Sequence, residues 1–203
     1  MTFHLPPAFP KPPEPPLVVP PPGLIGADGE SVTGERADRL SDIAARMEVA
    51  HRLGLSTDPD PVLDEIAADL AARMDMQYAF VNLITDQQHF IGLRQPPDGH
   101  GYVPVGRTMS LDRGWCRHTI TRDKALPLPD IYASRFHLDF VAEALGVRTY
   151  FGMSIKDPVT GTPFATVCAI DREVRTVADS YRLRDITVDA AEEARDVIVQ
   201  RAR

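Results

Sequence analysis

Only two cysteines, Cys116 and Cys168, occur in the 203 residues, and they do not form a CxxC pair. Two are too few for a disulfide scaffold, so a reduced, cytoplasmic setting is the expectation. No run of 18 apolar residues exists, which excludes a membrane-spanning helix from the reading. The first 22 residues hold no continuous apolar stretch either, and their prolines would break one, so a secretory signal is not expected. Basic residues are not clustered. With a net charge of −7 and Lys and Arg scattered among carboxylates, no stripe exists on which phosphates could lie, and nucleic acid is excluded as the expected partner. The motifs GxSxG, HExxH, GxxxxGK[ST] and GxGxxG are all missing. A catalytic constellation is therefore not legible, and the expectation is a binding or sensing protein, not an enzyme.

What is abundant is proline, and it is concentrated. Ten of the 19 prolines lie between Pro6 and Pro22, a density that neither sheet nor helix accepts. Residues 1–34 are expected to be a disordered Pro/Gly-rich leader, with Pro7–Pro10 or Pro10–Pro13 offering a PxxP ligand as the functional alternative. Gly23 to Gly34 reads as linker. From Glu35 to Leu53 the pattern becomes helical: Leu40, Ile43, Met47 and Ala50 recur at three- and four-residue steps and share a face, and Gly54 ends the helix. The domain division expected is a leader (1–34), an N-terminal helix (35–55) and one α+β domain (56–203).

Inside that domain, Asp60 caps a second helix with Pro61 at its first position, where the missing N–H costs nothing. Leu63, Ile66, Leu70 and Met74 form its apolar stripe. Tyr78 to Ile84 is a strand with apolar residues on both faces: Tyr78, Phe80 and Ile84 alternate with Ala79, Val81 and Leu83. Both faces must be covered, so layers are expected on each side of the sheet. Gln88 to Arg94 is the antiparallel neighbour, and Gln95 to Gly106 a loop. Gly114 to Thr121 is a short helix, Ala125 to Leu128 a short strand, and Ile131 to Gly146 irregular with one helical turn near Phe140 to Leu145. Arg148 to Lys156 and Phe164 to Asp171 form a hairpin around Asp157-Pro158-Val159-Thr160-Gly161-Thr162. Ala178 to Arg203 is a long helix. Its first stripe is Leu183, Ile186, Ala190, Ala194 and Val197. Its second, of Val188, Ala191 and Ile198, calls for contact with the N-terminal helix or with a second copy of the chain.

Several segments together resemble the GAF domain family. His51-Arg52-Leu53-Gly54-Leu55 ahead of Asp60-Pro61 looks like the lead-in of bacterial members. Leu83-Ile84-Thr85-Asp86 with Gln88-His89-Phe90 is similar to their first β-turn-β unit, and Trp115-Cys116-Arg117-His118-Thr119-Ile120 to a Cys-x-His segment of one bacterial branch. Pro129-Asp130, Arg135-Phe136, Gly146-Val147-Arg148, Tyr150-Phe151 and Cys168-Ala169-Ile170-Asp171-Arg172 extend the likeness over residues 49 to 201. It implies an α+β fold of the GAF/PAS kind, a six-stranded antiparallel sheet with a helical layer on one face and a loop and short-helix pocket on the other. It also implies a regulatory module that senses a small molecule and signals through dimerisation or a partner protein, without an output domain of its own.

Phe90, Trp115, Cys116, His118, Phe136 and Tyr150 are the candidates to line that pocket. Cys116 and His118 stand two apart, so on a helix they point about 200° away from each other and cannot chelate one ion. The bland reading is a buried packing Cys116 and a His118 bonded to backbone. Some family members hold haem through one histidine, for which His118 or His137 is the candidate ligand. Others reduce free methionine sulfoxide with cysteines. Gly114-Trp115-Cys116 sits where such enzymes carry one, but the loop beyond Pro129-Asp130 reads Phe136-His137-Leu138-Asp139, without the sulfur that attacks. The segment around Cys116 also differs from bilin-attachment segments. The competing class is a scaffold whose pocket is filled by side chains.

Overall fold

A computed structural model describes residues 29–137 and 139–202, so the proline-rich stretch and its PxxP segments lie outside the described residues. Helix α1 (Gly29–Arg52) begins six residues before the expected start, taking in part of the stretch read as linker. It ends as expected at Gly54, whose φ of +64° turns the chain so that the Leu55 N–H reaches back to Ala50 O at 2.9 Å. Its buried face differs from the expected one. Arg46, Val49, Ala50 and Leu53 are buried, whereas Leu40 and Met47 are exposed.

Helix α2 (Pro61–Met74) starts on Asp60, whose carboxylate accepts from Val62 N–H at 2.9 Å, and Leu63, Ile66, Leu70 and Met74 are all buried. Strands β1 (Tyr78–Ile84) and β2 (Gln88–Arg94) follow at the expected bounds. A two-residue strand β3 (Thr108–Met109), not anticipated in the Pro- and Gly-rich stretch, pairs with β2. Next come α3 (Cys116–Thr119), β4 (Leu126–Leu128), a 3-10 turn at Ile131–Ala133 and α4 (Phe140–Leu145). Strands β5 (Thr149–Lys156) and β6 (Pro163–Asp171) form the hairpin, and α5 (Val177–Arg201) closes the domain.

The six strands make one sheet in the order β3-β2-β1-β6-β5-β4, antiparallel throughout. The alternation read in β1 separates two cores. Ala79, Val81 and Leu83 join α2, α5 and the end of α1 in one apolar cluster. Tyr78, Phe80 and Ile84 face the other way, into a cluster built from α3, α4 and the irregular segments. The register shifts between Val81 and Asn82, where Val81 pairs with Gly92 but Asn82 with Phe90. Ile91 is the extra residue of this bulge, so it and Gly92 both lie on the helical side while Phe90 enters the other core. Gly92 must be glycine, because a Cβ there would collide with the backbone carbonyl of Leu63 on α2.

The second stripe of α5 is partly covered within the chain itself: Ala191 and Ile198 are buried in the helical core. At the hairpin turn, buried Asp157 accepts from the Thr160 N–H (2.8 Å) and hydroxyl (2.6 Å) and pairs with Arg52 at 2.6 Å. Burial pushes its pKa upward, but these donors outweigh it and hold the carboxyl at about 2.

Candidate functional site

On the sheet face away from α2 and α5, a cavity of about 340 Å³ lies between the strands, α3 and α4. Its walls are largely apolar, with Phe80, Phe90, Trp115, Leu145 and Ile170 among them. It opens to solvent where Gly106, Thr108, Arg113 and Phe140 are exposed. The Arg113 guanidinium lies over the Phe140 ring at 5.2 Å, and among the described residues it forms no ion pair.

The far wall is suspended from a buried amide pair. Asn82 Nδ2 donates to Gln88 Oε1 (2.9 Å), and Gln88 Nε2 donates to the carbonyls of Ser110 (2.7 Å) and Arg113 (2.8 Å). Two sheet residues therefore hold the loop that leads into α3. Gly114, at φ +68°, then makes the turn that aims Trp115 inward. The Trp115 indole donates to Phe136 O at 3.0 Å, tying α3 to the segment after the 3-10 turn. That segment is ordered in its own right. Asp130 caps the turn and pairs with Arg148 at 3.1 Å, and Asp139 caps α4.

The floor carries the polar groups. Cys116 on α3 and Cys168 on β6 bring their sulfurs to 3.5 Å, both buried and both unbonded. The Tyr150 hydroxyl lies 2.6 Å from Thr119 Oγ1 and 3.7 Å from Cys116 Sγ. The Thr119 hydroxyl also lies 3.2 Å from Trp115 O, so Trp115 O, Thr119, Tyr150 and Cys116 form one run of polar contacts. This arrangement depends on Gly152, which pairs with Cys168 across the hairpin. Any Cβ at 152 would overlap the Tyr150 hydroxyl, so the missing side chain is the space the phenol occupies.

The Cys168 thiol, with further help from Thr166, Asn82 and Tyr150, draws the Cys116 thiol below its ordinary range while burial opposes the shift. Thr166 Oγ1 is buried and makes no hydrogen bond among the described residues, so its hydroxyl is free to donate to that sulfur. Cys168 moves the opposite way, since its hydrogen bond with the Cys116 sulfur, its burial and the charge on Cys116 all disfavour a second thiolate. Burial and the two sulfurs likewise push the Tyr150 phenol upward.

Of the six candidate lining residues, Phe90, Trp115, Cys116 and Tyr150 border this cavity. His118 and Phe136 do not. They line a surface depression with Trp115, Arg117, Arg135 and Asp139, and the two-residue step along α3 is what turns His118 away from the face of Cys116. The His118 ring packs on Phe136 at 4.8 Å, where a backbone hydrogen bond was expected. His137 contacts Ser134 O at 2.8 Å, also outside the cavity. A haem held in the cavity through either histidine does not fit these positions. Sequence reasoning missed Cys168, although its parity with Ile170 on β6 places it on the cavity face. It also missed Phe80, Met109, Phe140 and Leu145.

A six-stranded antiparallel sheet with helices on one face and a lined cavity on the other defines an α+β domain. The GAF domain model matches residues 58–195, more than half the chain, and the chain belongs to that family. No curated protein sequence matches it significantly. Among solved structures, a free methionine-R-sulfoxide reductase from Neisseria meningitidis in complex with its substrate is similar at 14% identity and TM-score 0.51, over 78% of this chain and 89% of that one. The phycocyanobilin-bound GAF domain of a cyanobacterial phytochrome is similar at 14% and 0.52, over 80% and 94%. The GAF domain of an Acinetobacter phosphoenolpyruvate-protein phosphotransferase is similar at 11% and 0.51, over 79% and 94%. At these identities the likeness is one of fold. Among the described residues, no helix is long and apolar enough to cross a membrane.

Proposed function

We propose that this GAF domain is a regulatory module that binds a small, mostly apolar molecule in the cavity and passes the signal through its flanking helices to a second copy or a partner protein. The observation that carries the reading is the open cavity of about 340 Å³ between the sheet and α3/α4. A scaffold whose pocket is filled by side chains would have no such space. Aromatic walls with a few polar groups favour a flat or ring-bearing ligand, and exposed Arg113 at the mouth favours a polar or anionic end directed there. Leu40 and Met47, exposed on one face of α1, support the helices as the route outward. The reading is non-catalytic, because the loop beyond Pro129-Asp130 lacks the sulfur expected of a methionine sulfoxide reductase.

Native mass spectrometry of the protein purified from its own cells tests this reading. The expected result is a co-purified small molecule that is lost in a Val141→Trp variant, where an indole fills the cavity. Ligand-free protein that also fails to bind any member of a metabolite library would overturn it.

A further inference from the structure

The floor of the cavity holds two sulfurs that a ligand-binding role does not use. They come from elements 52 residues apart in sequence and stand 3.5 Å from each other. Neither is bonded, and both border a space that reaches solvent at Arg113 and Phe140. A covalent S–S bond is about 2.0 Å long. The approach needed is therefore about 1.5 Å, within the range of a side-chain rotation combined with a small shift of α3. Cys116 has the surroundings of a nucleophile, with a neighbouring thiol at 3.5 Å, the Tyr150 hydroxyl at 3.7 Å and, on the same strand as Cys168, a buried Thr166 hydroxyl that makes no hydrogen bond among the described residues. Cys168 sits on a central strand, rigidly placed to attack whatever Cys116 becomes. Among the described residues no carboxylate or imidazole borders the cavity, so the chemistry available at its floor is that of sulfur.

We propose that Cys116 and Cys168 are a dithiol–disulfide couple oxidised in place by a hydroperoxide entering the cavity, so that the GAF domain carries a redox-modification site beneath its ligand space. The Cys116 thiolate attacks the terminal oxygen of ROOH. An S–O bond forms, the O–O bond breaks, and the departing alkoxide takes up a proton to leave as ROH. The Cys168 sulfur then attacks the sulfenic sulfur. The S–S bond forms, the S–O bond breaks, and hydroxide leaves as water with the Cys168 proton. Two thiols and one hydroperoxide give one disulfide, one alcohol and one water. The two sulfurs lose the two electrons that the peroxide gains. The reaction is stoichiometric, which suits a sensor. Closing the bond draws the start of α3 toward β6, and with it Trp115, which walls the cavity. Oxidation therefore reshapes the ligand space. The proposal shares the cavity with the ligand-binding reading but does not depend on any ligand.

The test uses the full chain, reduced, freed of reductant and treated with hydrogen peroxide or, in parallel, cumene hydroperoxide. The expected product with either oxidant is a monomer lighter by two hydrogens, with a Cys116–Cys168 cross-linked peptide and full recovery on adding dithiothreitol. Fluorescence of the single tryptophan, Trp115, should shift with the mass change. Cys168→Ser should instead gain one oxygen, trapped by dimedone at Cys116, and Cys116→Ser should gain nothing. Wild-type protein whose two thiols still alkylate after peroxide would overturn the proposal, with no variant needed. So would oxidation straight to sulfinic acid, or a disulfide only between chains. Native mass spectrometry of the reduced protein reads ligand binding separately. A disulfide formed in a protein that holds no ligand would sink the ligand reading and keep this one.

Discussion

The two faces of the sheet are built from alternate residues of the same strands, yet they have been put to opposite uses. Toward α2 and α5 the side chains are aliphatic and small, and Leu63, Ala67, Leu70, Val81, Val167 and Ala194 have no solvent exposure. Toward α3 and α4 more of them are aromatic or polar, with Phe80, Asn82, Tyr150, Thr166 and Cys168 beside Ile84 and Ile170. There the covering elements are one short helix, one turn of another and loops, and a cavity remains. Long helices present continuous stripes that interdigitate to full density. A four-residue helix and irregular segments cannot, so the same sheet is filled on one side and hollow on the other. Stability should reside on the first side and function on the second.

The largest effects should come from the filled side. Leu70→Ala removes a side chain with no exposure and should cost about 2–5 kcal/mol in chemical denaturation. Gly92→Ala, driven into the Leu63 carbonyl, should be at least as damaging because backbone must move. If either is tolerated within about 0.5 kcal/mol, the contrast between the faces fails.

Asp157→Asn, at the hairpin turn, should cost about 1–3 kcal/mol by weakening a buried, charge-assisted set of bonds. The effect depends on pH. The folded carboxyl, at about 2, lies below the usual value of about 4. Its stabilisation is therefore complete above the usual value and is lost as pH falls from there through about 2. Denaturation midpoints measured down the acid limb should fall in the wild type and flatten in the variant.

Gly152→Ala acts on the hollow side. The added methyl displaces the Tyr150 ring, costing about 1–3 kcal/mol as overpacking. Because Tyr150 and Trp115 rings stand 5.5 Å apart, Trp115 emission should shift as well. The smallest stability change should come from Phe140→Ala at the exposed mouth, within about 0.5 kcal/mol. Titration with a bound ligand should nevertheless show weakened affinity. A variant that is unstable but binds normally would reverse the assignment.

Much of this was legible beforehand for definite reasons. Asp60-Pro61 and Gly54 act through local backbone chemistry, so the end of α1 and the start of α2 could be read from neighbouring residues alone. The β1 alternation announced two covered faces, and both exist. The burial of α1 was not legible, since Leu40, Ile43 and Met47 make as good a stripe as Arg46, Val49 and Ala50 until a sheet selects one. Strand β3 was missed because two residues of pairing leave no periodicity to read. Composition groups His118 and Phe136 with Trp115, but Trp115 borders both concavities while His118 and Phe136 reach only the surface one.

The chain by itself determined the element order, the family and the apolar and polar parity of each strand, because these depend on residues near one another in sequence. Tertiary structure alone decided that the cavity stays open, that Gly152 makes room for Tyr150, and that Cys116 and Cys168 meet. Those outcomes depend on sheet register, where a shift of one residue sends every side chain to the opposite face.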